Sequence, residues 1–340
     1  MLNFPSLPPY MRQASEKQKG KNWFVELLIF FLVFLIASIL SGFLMIPGYV
    51  IAVISDSSIM ELFLSGASSV EEYSRIAALM ESSLPVTLSM LFANAGLILI
   101  AILFCVIFQK RKVSSMGFIK EKAGTQYLIG MGIGFLLFGA VTLINIMTGA
   151  MTIEGISKNF SFGVFLLFAL GFAIQGMAEE VLCRGYFMVS VSRRYSVITA
   201  VLLNSLVFSL LHLANPGVSV AAIVNIVLFG VVLSLYFLRT GNIWGIGAIH
   251  SVWNFVQGNV FGMEVSGLDL SCTVFQSSTA PDKVFWNGGV FGAEGGFSTT
   301  IVLVAAVLIL LFWRKRSGVT TRENEGILPH TENEADMRLG

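Results

Sequence analysis

Six ionisable side chains lie inside long apolar stretches of the sequence, where charge is costly and each such group is a candidate for function. They are Glu26, Glu179, Glu180, Arg184, His212 and His250. A carboxylate can take a proton from water, and a histidine can share that task or bind a metal ion. Asn254 follows His250 by four residues, so one helical face carries two groups that could hydrogen-bond an oxyanion. These residue types suit hydrolysis.

The two adjacent glutamates are expected to have different partners. Glu180 and Arg184 are four residues apart, which places them on one helical face as an expected ion pair. Glu179 is rotated about 100° around the helix and has no expected partner on its own helix. We therefore expect its partner to come from another helix, and the histidines are the other ionisable candidates. Glu26 lies near the basic start of its stretch and can reach the interface, so we expect no function for it.

The elements that position these side chains are expected to be membrane helices. The chain has 340 residues, of which 55% are hydrophobic and only 12% charged, and its mean hydropathy is +0.81. A soluble chain carries about a quarter charged residues, so an ordinary soluble enzyme, a disordered protein and a nucleic-acid binder with a basic face are excluded. The net charge of +1 says nothing about partners. The three cysteines form neither a metal motif nor a paired disulfide framework.

Apolar runs of about 20 residues predict an all-α, polytopic bundle with eight spans. The predicted spans are 23–46, 86–108, 125–147, 161–190, 197–213, 218–238, 243–258 and 298–313. Cytoplasmic loops collect Lys and Arg, and eight spans with the N-terminus inside put most of the 21 basic residues there. We therefore expect a multi-pass plasma-membrane protein with both termini cytoplasmic.

The predicted organisation has three parts. Residues 1–22 form a cytoplasmic N-terminal segment, 23–313 the transmembrane domain, and 314–340 a disordered cytoplasmic tail that contains His330. The connections 47–85 and 259–297 are expected to be surface loops outside the cytoplasm, with a lid or a re-entrant segment as the alternative. The first contains a possible amphipathic segment around Val70–Met80, and the second contains the Gly-rich run Gly288–Gly296.

Three motifs, in order and each in an apolar stretch, resemble those of one known family. They are EExxxR (Glu179, Glu180, Arg184), FxxxH (Phe208, His212) and HxxxN (His250, Asn254). The combination is similar to the CPBP intramembrane proteases, which include CAAX prenyl endopeptidases, lysostaphin-resistance-like proteins and Abi-type bacteriocin self-immunity proteins. The matched core covers about 160–260, and the Gly-rich run 288–296 looks like that of many bacterial members.

The resemblance implies peptide-bond hydrolysis within the membrane. Carried over by motif position, Glu179 and His212 would activate the attacking water, and His250 with Asn254 would stabilise the oxyanion. The expected substrate is a membrane-associated peptide or protein in contact with the lipid bilayer, and nucleic acid is not an expected partner.

The resemblance also implies supporting residues and raises the question of a metal. Glu180 with Arg184 would hold the helix, and Phe208 belongs to the same motif as His212. The family is called a metalloprotease family, but no metal ligand is assigned here. Zinc or another divalent metal is a possible cofactor, and its ligands would then be Glu179, His212 and His250, a plausible catalytic zinc set.

Other intramembrane protease chemistries do not fit the sequence. An aspartyl protease needs two membrane aspartates, whereas the four here lie in predicted loops or the tail (Asp56, Asp269, Asp282, Asp336). The HExxH motif is absent, and no serine in a span combines a Gly-x-Ser context with a paired histidine. Two non-protease alternatives stay open: a non-catalytic bacteriocin-immunity or peptide-binding membrane protein, and a proton-coupled transporter that uses the same polar core.

Overall fold

Residues 4–66, 69–158 and 160–313 are described by a computed structural model, and helices make up nearly all of their regular structure. The expected all-α, polytopic fold is confirmed. Five helical stretches are long and apolar enough to cross a membrane, and they coincide with five of the predicted spans: Trp23–Ser55, Leu84–Phe108, Ala123–Met147, Phe162–Ser192 and Val220–Thr240. The predicted tail 314–340, with His330, lies outside the described residues.

The helices are labelled in chain order. They are α1 (Pro9–Lys17), α2 (Trp23–Ser55), α3 (Ser57–Ser65), α4 (Val70–Glu81), α5 (Leu84–Ala93), α6 (Ala95–Leu103), α7 (Ala123–Met147), α8 (Phe162–Glu180), α9 (Val189–Ser192), α10 (Val197–Leu210), α11 (Val220–Thr240), α12 (Ile243–Phe255), α13 (Val284–Asn287) and α14 (Phe297–Phe312). π-Helical stretches continue three of them: Phe104–Phe108 after α6, Val181–Met188 after α8 and Val256–Val260 after α12. Two strands, β1 (Met151–Ile156) and β2 (Phe275–Thr279), pair antiparallel.

The other three predicted spans correspond to shorter helices. α10, α12 and α14 have 14, 13 and 16 residues, fewer than the roughly 20 that a bilayer-spanning helix needs. The count of eight spans therefore stays a prediction.

The connection 47–85 is largely helical, so the surface-loop expectation is wrong for it. α2 continues through Pro47 to Ser55 because the flanking sequence remains apolar, and α3 and α4 follow. The possible amphipathic segment lies in α4, whose start is stabilised by a capping box between Ser69 and Glu72.

The Gly-rich run Gly288–Gly296 is packed into the bundle, so the surface-loop expectation is wrong here too. Phe291 is completely buried. Asn225 Nδ2 of α11 donates to the carbonyl oxygens of Glu294 (2.8 Å) and Gly296 (2.9 Å). Gly292 has φ 89°, and a Cβ there would lie 2.1 Å from the carbonyl oxygen of Glu264. Glycine therefore allows this segment to fold down onto the helices.

α12 lies at the centre of the bundle, packed between α7 and α8. At Gly176 of α8, a Cβ atom would lie 2.6 Å from the backbone nitrogen of Ser251. The missing side chain lets the two helix backbones approach closely. This contact brings the acidic end of α8 next to the α12 segment that carries His250.

Glu26 is buried rather than directed to the interface, which corrects the sequence expectation. Its Oε1 lies 3.2 Å from Arg193 Nη2 and accepts a hydrogen bond from the backbone nitrogen of Lys21 at 2.9 Å. A buried charge needs such a partner, so Glu26 has a structural role that joins α2 to the end of α9.

Candidate active site

One carboxylate oxygen of Glu180 accepts hydrogen bonds from two buried side chains. Its Oε1 accepts from Arg184 Nη1 at 2.9 Å and from His250 Nδ1 at 2.8 Å. The ion pair expected from the i,i+4 spacing is present. The contact with His250 was not expected, and it shows that Glu180 also orients the imidazole of α12.

Glu179 faces away from Arg184 and lies beside the other nitrogen of His250. Its Oε2 is 3.8 Å from His250 Nε2 and has no hydrogen-bond partner among the described residues. Its Oε1 accepts from Gln175 Nε2 at 2.5 Å. The expectation that Glu179 has no partner on its own helix is therefore wrong, because the neutral amide one turn earlier on α8 supplies a donor. The expected approach of a histidine from another helix is observed.

Asn254 joins this group through the same glutamine. Its Nδ2 donates to Gln175 Oε1 at 3.0 Å. Gln175 thus contacts both Glu179 and Asn254, although it belongs to none of the three motifs. The available signal was its position four residues before Glu179 in an apolar helix.

Phe208 and His212 form another part of the pocket wall. The Phe208 ring lies 4.9 Å from the His212 ring and 5.9 Å from the His250 ring, centroid to centroid. His212 lies just beyond the end of α10, and its Nδ1 is 2.9 Å from the carbonyl oxygen of Phe208. A carbonyl only accepts, so Nδ1 carries the hydrogen and Nε2 of the neutral ring is a free acceptor. No hydrogen bond or ion pair joins His212 to either glutamate within the described residues.

Arg184 is fully buried and is stabilised from three directions. Besides Glu180, its guanidinium carbon lies 4.4 Å from the centre of the Phe208 ring, a cation–π contact. With the Asn204 amide oriented to satisfy its neighbours, Oδ1 accepts from Arg184 Nε at 3.2 Å and Nδ2 donates to the carbonyl oxygen of Cys183 at 2.8 Å. Phe208 and Asn204 of α10 therefore contact Arg184 of the EExxxR motif. The spacing of residues along the sequence did not predict these contacts between helices.

Five of the predicted site residues line one pocket, and the other two lie outside its lining. A pocket of about 440 Å³ is lined by the predicted residues Glu179, Phe208, His212, His250 and Asn254 together with apolar side chains from α2, α5 and α6. Glu180 and Arg184 do not line it. The arrangement gives the pocket a carboxylate, two imidazoles and a carboxamide, and further polar side chains, among them Gln175 and Glu294, also line it.

Glu294 connects the Gly-rich run to the pocket. Its Oε1 accepts from Trp253 Nε1 at 3.1 Å, and its Oε2 accepts from the backbone nitrogen (2.9 Å) and the hydroxyl (2.6 Å) of Ser266. Glu294 and Ser266 both line the pocket. The sequence pattern did not predict this link, although Glu294 is the one charged residue between Gly288 and Gly296.

The donor types of Glu179, His212 and His250 suit zinc, but their placement does not complete a site. Within residues 4–66, 69–158 and 160–313, no three His, Cys, Asp or Glu side chains are close enough together to hold one ion. Glu179 and His250 approach each other, whereas Nδ1 of His212 hydrogen-bonds to the carbonyl oxygen of Phe208 in α10. The present arrangement does not fit a three-ligand site, and the metal stays a prediction.

The fold and the site describe a helical membrane protein with a buried glutamate, histidine and asparagine constellation. Residues 161–256 match the family model described as type II CAAX prenyl endopeptidase Rce1-like. This segment runs from the start of α8 through α12 and contains all three motifs. The match is consistent with the CPBP family and supports a CAAX-type intramembrane protease family for it. Comparisons with curated proteins and with solved structures give no match.

Proposed function

We propose that this protein is an intramembrane endopeptidase that hydrolyses a peptide bond in a membrane-associated peptide or protein. The observation that carries the proposal is the 3.8 Å separation between Glu179 Oε2 and His250 Nε2 at the wall of the pocket. This distance is too long for a good hydrogen bond, but one water oxygen can contact both atoms. The family-model match over 161–256 supports the same reaction class.

Glu179 is the proposed general base. Its Oε1 accepts from Gln175, and its Oε2, which is buried and has no hydrogen-bond partner among the described residues, is the proposed acceptor of the water proton. Transfer of one water proton to Oε2 leaves a hydroxide that attacks the scissile carbonyl carbon. His212 also lines the pocket, and its Nε2, an acceptor in the neutral ring, shares this task.

His250 and Asn254 are the proposed oxyanion partners. The carbonyl oxygen gains negative charge as the hydroxide adds, and hydrogen-bond donors fixed in advance stabilise that charge. The Asn254 carboxamide has a second N–H beyond the one that it gives to Gln175. His250 Nε2 donates when the ring is in its imidazolium form. Glu179 then returns the proton to the leaving amine as the C–N bond breaks, so that the base is regenerated.

The proposed roles of Glu180 and Arg184 are to support the site. Glu180 fixes the ring orientation of His250 through Nδ1 and directs Nε2 toward Glu179. Arg184 balances the charge of Glu180 inside the bundle. The Lys and Arg distribution further supports a plasma-membrane orientation with both termini in the cytoplasm.

The test compares the peptides of membranes that contain wild-type protein with those that contain Glu179→Gln protein. We expect new peptide termini in the wild type alone, because Gln keeps the shape of Glu179 but removes the base. Equal amounts of folded protein must be present in both membranes, as measured by size-exclusion chromatography and thermal unfolding.

The same comparison separates the two alternatives. Identical peptides in both membranes, together with binding of a peptide or immunity to a bacteriocin that survives Glu179→Gln, would favour a non-catalytic binding protein. Proton-coupled uptake that persists in Asn254→Ala would favour a transporter.

A further inference from the structure

Gln175 is a neutral side chain that lies between two residues of the proposed site. Its Nε2 donates to Glu179 Oε1 at 2.5 Å, and its Oε1 accepts from Asn254 Nδ2 at 3.0 Å. It is only partly buried and lines the same pocket as both partners. One side chain therefore joins the end of α8 to the face of α12 that carries His250.

The chemistry of the partners requires a carboxamide in one orientation. A carboxylate only accepts hydrogen bonds, so the group that faces Glu179 must be a donor. With the Gln175 amide turned over, its oxygen would face the carboxylate oxygen of Glu179, and its nitrogen would face the Asn254 nitrogen. Both contacts would then be repulsive, so the hydrogen-bond network assigns the observed orientation.

The same link fixes the orientation of Asn254. Because Gln175 presents an oxygen, the group of Asn254 that faces it must be the nitrogen. This sets the plane of the Asn254 carboxamide and the direction of its second N–H. Without Gln175, Asn254 could rotate and present its oxygen to the pocket, where an oxyanion would be repelled.

We propose that Gln175 is a positioning residue that couples the base Glu179 to the oxyanion donor Asn254. The inference rests on the proposed function, since it assigns Gln175 a role in the same hydrolysis. Gln175 acts through its two neighbours and does not itself react. Its loss should therefore lower kcat and leave KM close to the wild-type value, because misplacement of catalytic groups by about 1 Å can cost about 10²-fold in rate.

Two substitutions of Gln175 test its two hydrogen bonds. Gln175→Leu has a similar size and removes both hydrogen bonds, and we expect kcat to fall up to about 10²-fold. Gln175→Glu keeps an acceptor for Asn254 but places a second carboxylate against Glu179 at neutral pH. A protonated carboxyl group both donates and accepts, so the activity of Gln175→Glu relative to wild type should rise as the pH is lowered. A purely structural role would not produce this relative recovery.

The assay uses purified full-length protein in lipid vesicles and a fluorogenic peptide that spans a cleavage site found in the membrane comparison. Gln126→Leu is the matched control, because Gln126 lies in the membrane helix α7 and does not line the pocket. Its kcat should equal that of the wild type. Thermal unfolding of each variant verifies folding, and Gln175→Glu provides the test if Gln175→Leu does not fold.

The outcomes distinguish this inference from the function on which it rests. Wild-type cleavage with an unchanged kcat in folded Gln175→Leu, or with no relative recovery of Gln175→Glu at low pH, would overturn the inference alone. An absence of cleavage by the wild type would overturn the proposed function and the inference with it.

Discussion

Removal of the charge of Glu180 should damage both the stability of the bundle and the chemistry of the site. In Glu180→Gln, the carboxylate that accepts from Arg184 (2.9 Å) and from His250 (2.8 Å) becomes a neutral amide. An amide oxygen at the position of Oε1 can still accept from both donors, but it is neutral and cannot balance the charge of Arg184. Arg184 then remains fully buried without its counter-charge.

The size of the stability loss follows from these contacts. Breaking a buried ion pair by removal of one partner costs about 3–5 kcal/mol. Arg184 keeps its contacts with Phe208 and Asn204, so the lower end, about 3 kcal/mol, is expected. This is a large part of a typical unfolding free energy of about 5–15 kcal/mol. At about 2–4 °C per kcal/mol, the unfolding temperature should fall by about 6–12 °C.

The assay combines thermal unfolding in detergent with cleavage of the fluorogenic peptide. A double variant, Glu180→Leu with Arg184→Met, serves as the control because it removes both charges and fills similar volume. Replacement of a buried pair by apolar residues is often neutral or stabilising. We therefore expect the double variant to regain most of the unfolding temperature and to stay inactive, since His250 still lacks its acceptor.

Two results would refute this reasoning. An unfolding temperature of Glu180→Gln equal to that of the wild type would show that the buried pair does not contribute as argued. Wild-type cleavage by the double variant would show that orientation of His250 by Glu180 is not needed.

Three further predictions use other contacts. Asn254→Ala should lower kcat by about 10²–10³-fold, the effect of removing one oxyanion donor, with folding unchanged; a KM effect alone in steady-state kinetics would contradict this. Phe208→Leu should lower the free energy of unfolding by about 0.5–2 kcal/mol, because the cation–π contact with Arg184 is lost. An unfolding temperature equal to that of the wild type in the same detergent would count against that contact. Gly292→Ala should reduce the folded yield. The φ of 89° disfavours alanine, and its Cβ would lie 2.1 Å from the carbonyl oxygen of Glu264. A normal size-exclusion profile and yield would show that the Gly-rich run is not packed as described.

Membrane-helix placement was predictable because the bilayer imposes a simple rule on the sequence. Apolar runs located the five long helices to within a few residues, apart from the end of α2. Hydropathy did not reveal that α2 continues past Pro47 to Ser55 or that Gly288–Gly296 folds into the bundle. The second of these depends on glycine backbone geometry and on contacts with distant helices, which a hydropathy pattern does not contain.

The candidate site was predictable in its ionisable residues and in Asn254, which follows His250 by one helical turn, but not in its other neutral amides. Charged groups in apolar stretches are rare, so Glu179, Glu180 and His250 were conspicuous. Gln175 and Asn204 are neutral amides, which apolar helices tolerate more readily, and their importance comes from contacts between helices. The pairing of His250 with Glu180 also required the close packing of α8 on α12.

The most direct test of the central claim is hydrolysis in water enriched with heavy oxygen. Purified wild-type protein in lipid vesicles is incubated with a substrate identified in the membrane comparison, and mass spectrometry measures the isotope in any new carboxyl terminus. The account predicts one heavy oxygen in each new carboxylate with the wild type and no cleavage with folded Glu179→Gln protein. Cleavage by Glu179→Gln at the wild-type rate, or cleavage that leaves no heavy oxygen in the product, would contradict water activation at Glu179.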